Sequence, residues 1–226
     1  DGAADVIGLH YPHELPTYTD WPNTAEWLLN RTQTEAGGGM LGMTRRNFYW
    51  DRSKPLYIGE YLWAPQEDYS AGTIFFGDDA FLDRAAYHHK AKLQAWIDQS
   101  IAYRRMGVSA ICPWTCFGHG VVVEEVEKPF YEAQKDFYRP IAAFLRNKDT
   151  RFFSGDTIER TFDIFNDSVN DCDFEMTWYI SDSHIEDEKI RRIMSVEKFS
   201  LPAGGYKPVT IRFAAPIKEA RHLLMN

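Results

Sequence analysis

Three apolar runs of strand length mark the first half of the chain, and each closes on polar or aromatic residues. They are Asp5-Val6-Ile7-Gly8-Leu9-His10-Tyr11-Pro12, Lys54-Pro55-Leu56-Tyr57-Ile58-Gly59-Glu60-Tyr61 and Gly107-Val108-Ser109-Ala110-Ile111-Cys112-Pro113-Trp114. Near-continuous apolar strands predict a parallel sheet covered on both faces. From Asp79 to Met106 there is neither Gly nor Pro, and Leu93, Trp96, Ile97 and Ile101 recur at helical spacing. This predicts a helix between the second and third strands. A further helix is expected over Lys128 to Leu145, with Phe130, Phe137, Ile141, Phe144 and Leu145 near one face and Pro129 in its first turn.

The pattern changes near Asp149. Arg151 to Asp156 reads as a strand running into a turn. Ile158, Arg160, Phe162 and Ile164 alternate with their neighbours, and so do Phe174, Met176, Trp178 and Ile180. Polar turns at Asp167-Ser168 and Asn170-Asp171 separate the two runs. Further strands are expected at Arg191 to Leu201, Lys207 to Ala214 and Ala220 to Met225. Short alternating strands predict an antiparallel sandwich, with Phe162, Ile164, Met176 and Trp178 pointing inward. The expected organisation is thus a first domain over 1–148 and a sandwich over 149–226. Residues 12–53 form a long connection, with a helix expected from Thr24 to Arg31 and a break at Gly37-Gly38-Gly39.

The second run ends on a carboxylate, Glu60, preceded by a glycine that permits close backbone approach. A Glu at the carboxyl end of a parallel strand lies where active sites of such sheets occur. The plainer reading is a solvated strand-end Glu. Taken together, the three runs and their order resemble the last strand–helix units of the (β/α)8 domain of retaining glycoside hydrolases. The group most like it is family 2, which holds the β-galactosidases, β-glucuronidases and β-mannosidases. The resemblance covers about residues 5–145.

It implies a fold of α/β plus all-β class, in which the last three strand–helix units of a (β/α)8 barrel precede an immunoglobulin-like β-sandwich. It implies Glu60 as nucleophile, with Tyr11 orienting it. Trp114 would floor the sugar subsite, and His10, Trp63 and His119 would contact substrate. Retention requires two carboxyl groups about 5–5.5 Å apart. In the family the general acid/base belongs to an Asn-Glu pair on a fourth strand, and this sequence holds no Asn-Glu pair. The expectation is a piece of a longer β-glycosidase, inactive by itself, whose partners are a carbohydrate substrate and the remainder of the same enzyme. Two other readings stay open: an endo-acting polysaccharidase of the same clan, and a non-catalytic carbohydrate-binding or domain-packing fragment.

Composition narrows the alternatives. The 226 residues carry a formal net charge of −8, which argues against a nucleic-acid partner, since phosphate binding needs clustered Lys and Arg. No apolar run reaches membrane-spanning length. Three cysteines, Cys112, Cys116 and Cys172, are too few for a disulfide framework, and Cys112 reads as a small buried hydrophobe. His10-x-x-His13-Glu14 is a poor metal motif because Pro12 disfavours the helix it would need. No metal and no cofactor is expected. No secretion signal is visible and localisation is left open. Seven Trp, twelve Tyr and fifteen Phe supply both core and flat platforms for sugar C–H faces.

Overall fold

The structure is a computed structural model that describes residues 4–10, 34–36, 46–48, 50–61, 73, 75–113, 124–147, 151–180 and 192–215. The chain divides into two compact units, Asp1–Tyr138 and Arg139–Asn226. The break falls upstream of the expected 148/149 boundary, because residues 141–145 form a strand of the second unit.

The first unit contains β1 (Ile7–His10), β2 (Thr34–Ala36), β3 (Arg46–Phe48), β4 (Leu56–Tyr61) and β5 (Ala110–Pro113). Strands β1, β4 and β5 make a three-stranded sheet with β4 in the centre. Both pairings are parallel, so the three apolar runs do lie side by side as expected. Strands β2 and β3 form a separate antiparallel ribbon. Helices α1 (Asp78–Leu82), α2 (Arg84–Arg105) and α3 (Glu124–Phe137) follow. Asp83 ends the first of these and caps the second, its carboxylate accepting from Ala86 N at 3.2 Å.

Of the expected face Leu93, Trp96, Ile97 and Ile101, Trp96 is fully buried and the other three are half-buried. The buried residues of α2 are Ala91, Ala95, Trp96, Gln99, Ser100, Ala102 and Tyr103. Trp96 stacks on Phe130 at 5.2 Å and meets Phe137 edge-on at 5.2 Å, which ties α3 to α2. Arg104 Nη1 donates to the Phe137 carbonyl at 2.6 Å and closes the far end of that pair. Tyr138 Oη then reaches the Ile111 carbonyl of β5 at 3.3 Å.

The second unit contains β6 (Ile141–Leu145), β7 (Thr157–Asn166), β8 (Cys172–Ile180), β9 (Arg192–Leu201) and β10 (Gly205–Ala214). Its sheets are β10-β7-β6 and the hairpin β8-β9, all antiparallel. Ile158, Ile164, Val209, Ile211 and Phe213 form the core, against which Phe162, Phe174, Met176 and Trp178 pack. The inward set Phe162, Ile164, Met176 and Trp178 therefore has the expected phase. On the other face of β7, Asp163 is fully buried. It accepts from Arg146 Nε at 3.1 Å and from Tyr206 Oη at 2.7 Å. A buried carboxylate is tolerable only with such charged and hydroxyl donors.

The expected fold class does not hold. The described residues form four small sheets and three helices, not the end of a (β/α)8 barrel followed by an immunoglobulin-like sandwich. The described strands between β1 and β4 form an antiparallel ribbon. The helix expected over 128–145 stops at Phe137. Pro140 and the β-branched Ile141 favour an extended chain there, and Pro129 lies inside α3 rather than in its first turn. Residues 151–153 are not a strand, and the described residues of the second unit form a three-stranded sheet and a two-stranded hairpin. The helix expected at 24–31 and the strand expected at 220–225 lie outside the described residues.

Replacing Asp163 by Ala leaves the partly exposed Arg146 guanidinium and the Tyr206 hydroxyl without their shared acceptor. The expected loss is about 3 kcal/mol, read as faster amide hydrogen exchange across residues 158–165. Unchanged protection would show that this network does not hold the sheet.

Candidate active site

Strand β4 carries an extra residue relative to both neighbours. Against β5, Ile58 pairs with Ile111 and Tyr61 with Pro113, so three steps on β4 match two. Against β1, Ile58 pairs with Leu9 and Glu60 with His10, so two steps match one. This is a bulge at Gly59-Glu60. Strict alternation would place Glu60 on the face of Leu56 and Ile58, and Tyr61 on the opposite face. The bulge exchanges them.

The burial pattern records the result. Leu56, Ile58 and Tyr61 are each 0% exposed, whereas Tyr57 and Glu60 are half-buried. Tyr61 is fixed by a closed hydrogen-bond circuit. Trp96 Nε1 donates to Tyr61 Oη at 3.0 Å, Tyr61 Oη lies 2.6 Å from Ser100 Oγ, and Ser100 Oγ donates to the Trp96 carbonyl at 2.6 Å. Tyr103 adds an edge-to-face ring contact at 5.4 Å. Burial pushes the Tyr61 phenol well above its ordinary value of 10.0, against the opposing hydrogen bonds.

The other face of the sheet is open among the described residues. Register places Gly8 and Ala110 on either side of Tyr57. Gly8, Ala110 and Cys112 are exposed. Cys112 therefore is not the buried hydrophobe that its strand position suggests. Cys112, two residues beyond Ala110 and on the same exposed face, lies diagonal to Tyr57 across the ladder. Partial burial raises the Tyr57 phenol above its ordinary value, and Cys112 and the nearby Glu60 charge add to this. Tyr57 consequently stays a neutral hydroxyl through physiological pH. At the opposite end of β4 the chain is tied down structurally. Trp50 Nε1 donates to the Lys54 carbonyl at 2.9 Å, and Ile7 N donates to the Pro55 carbonyl at 3.0 Å.

Of the expected site residues, Glu60 is placed at the carboxyl end of the central strand, on the open face. His10 is its register partner on β1. Tyr11, Trp63, Trp114 and His119 lie outside the described residues. No group of three or more His, Cys, Asp or Glu side chains suited to a metal occurs among the described residues. Sequence reasoning missed Tyr57 and Cys112 as neighbours of Glu60. The only sequence signal for them is Gly59, where a bulge is permitted but not required.

The Tyr61 circuit makes stability pH-dependent with a definite sign. The folded state keeps a proton that the unfolded tyrosine releases near its ordinary value of 10.0. The contribution is level below that pH and falls as pH rises above it. Tyr61→Phe should weaken this alkaline fall, and at neutral pH it should cost about 1–3 kcal/mol by orphaning the Trp96 indole N–H. Urea titrations at pH 7 and above pH 10 measure both effects. Neither a protein-family model nor a curated protein matches this chain.

Proposed function

We propose that this chain supplies the nucleophile of a retaining β-glycosidase, and that Glu60 is that nucleophile. The observation that carries the reading is the placement of Glu60. It sits at the carboxyl end of the central strand of a parallel sheet, turned by a bulge onto the open face that also carries Tyr57. Ligands of open parallel sheets bind outside the carboxyl ends of the strands. The sequence resemblance to family 2 glycosidases names the same residue.

Glu60 attacks the anomeric carbon and forms a glycosyl ester as the leaving oxygen departs. Water then cleaves that ester with net retention. The leaving oxygen needs a proton from a second carboxyl group. The resemblance assigns that role to an Asn-Glu pair, which this sequence does not contain, so the acid/base comes from the remainder of the enzyme. The substrate is a β-linked carbohydrate.

In the complete enzyme, a 2-deoxy-2-fluoro aryl β-glycoside should form a stable ester on Glu60, identified by peptide mass spectrometry. Glu60→Gln should lose turnover by roughly 10³-fold or more, because the amide cannot attack. Full turnover by the Gln variant, or ester formation on another carboxylate, would remove the assignment.

A further inference from the structure

The open face of the parallel sheet offers more than a carboxylate. Tyr57 lies three residues before Glu60 and shares its face only because of the bulge. Its register neighbours are Gly8 and Ala110, two of the smallest residues. A side chain added at Gly8 would meet nothing within 4 Å. The aromatic ring thus stands between low neighbours instead of being walled in by them, while every large side chain of β4 on the other face is fully buried.

We propose that Tyr57 is the platform for a pyranose ring, with the Cys112 thiol at its rim and Glu60 at its end. This rests on the glycosidase reading for the identity of the ligand. The chemistry fits a sugar on two counts. The ring offers an apolar surface with a polar tip, suited to a pyranose C–H face and hydroxyl edge. The neutral phenol is a donor for a sugar hydroxyl, and the exposed Cys112 beside it is a weak competitor for that bond. Open space beside Gly8 supplies width for the sugar ring.

The test uses Cys112 as a reporter. The complete enzyme is alkylated with iodoacetamide, with and without methyl β-galactoside, β-glucuronide or β-mannoside, and modification at Cys112 is followed by peptide mapping. At a sugar concentration near ten times its dissociation constant, the matching glycoside should slow alkylation of Cys112 about tenfold. Tyr57→Phe should retain most of this protection because the ring remains, and Tyr57→Ala should lose it. Gly8→Leu, which leaves the ring intact but fills the space beside it, should lose it too. In steady-state kinetics Tyr57→Ala should raise KM about tenfold with a much smaller change in kcat, as expected for lost ground-state binding. Absence of protection by all three sugars overturns the platform, and so does protection that persists in both Tyr57→Ala and Gly8→Leu. The two readings fail separately. Protection of Cys112 without fluorosugar labelling of Glu60 removes the nucleophile and keeps the platform. Labelling of Glu60 with Cys112 unprotected does the reverse.

Discussion

The geometry of the first unit depends on one anchored side chain. Tyr61 is drawn into the layer between β4 and α2 by an indole donor, a serine hydroxyl and the edge-on ring of Tyr103. Its burial is compatible with burial of Leu56 and Ile58 only if one extra residue is accommodated between them. Gly59 lets the backbone take up that residue. The cost of the bulge is a local break in the ladder. It is offset by apolar burial on the helix side, about 1.5–3 kcal/mol for each fully buried large side chain. Glu60 is turned outward as a consequence, with no local preference of its own required.

The same constraint sets the chemistry of the open face. A carboxylate turned toward the helices would be desolvated by Trp96 and its neighbours, and protonation would relieve the cost. On the open face it stays accessible, next to a phenol that remains neutral. Adjacent residues thus face opposite ways, with Tyr61 holding the strand to the helix and Glu60 on the open side. The far end of β4 shows the complementary arrangement. There Trp50, Lys54 and Pro55 spend their hydrogen bonds on backbone closure.

The sequence made some of this legible. Apolar runs bounded by Gly, Pro and polar residues located β1, β4 and β5, and their parallel adjacency followed from their near-continuous apolar character and the helix between β4 and β5. Period-2 alternation located β7 and β8 and gave the correct inward set. The barrel and the immunoglobulin-like sandwich expected from the sequence are not what the described residues form. A resemblance built on a few strand-end residues specifies neither how many strands a sheet holds nor how it closes. The Ile141-to-Leu145 segment shows why pattern alone misleads, since Ile141, Phe144 and Leu145 fit a helical face as well as a strand. Pairing with β7 decided the matter. Glu60 was singled out from its position at a strand end, and the described structure places it at the end of β4. Tyr57 and Cys112 were not found, because simple alternation puts Tyr57 and Glu60 on opposite faces, and only the three-dimensional register reveals the bulge.

Everything on the open face therefore depends on which side chains of β4 face the helices. Single-cysteine variants at positions 57, 58, 60 and 61, with Cys112, Cys116 and Cys172 replaced by Ser, can be alkylated in the native protein and their rates compared. The bulged register predicts rapid reaction at 57 and 60 and strong protection at 58 and 61. Rapid reaction at 57 and 61 with protection at 58 and 60 would mean strict alternation, and would place Glu60 on the wrong side of the sheet for chemistry.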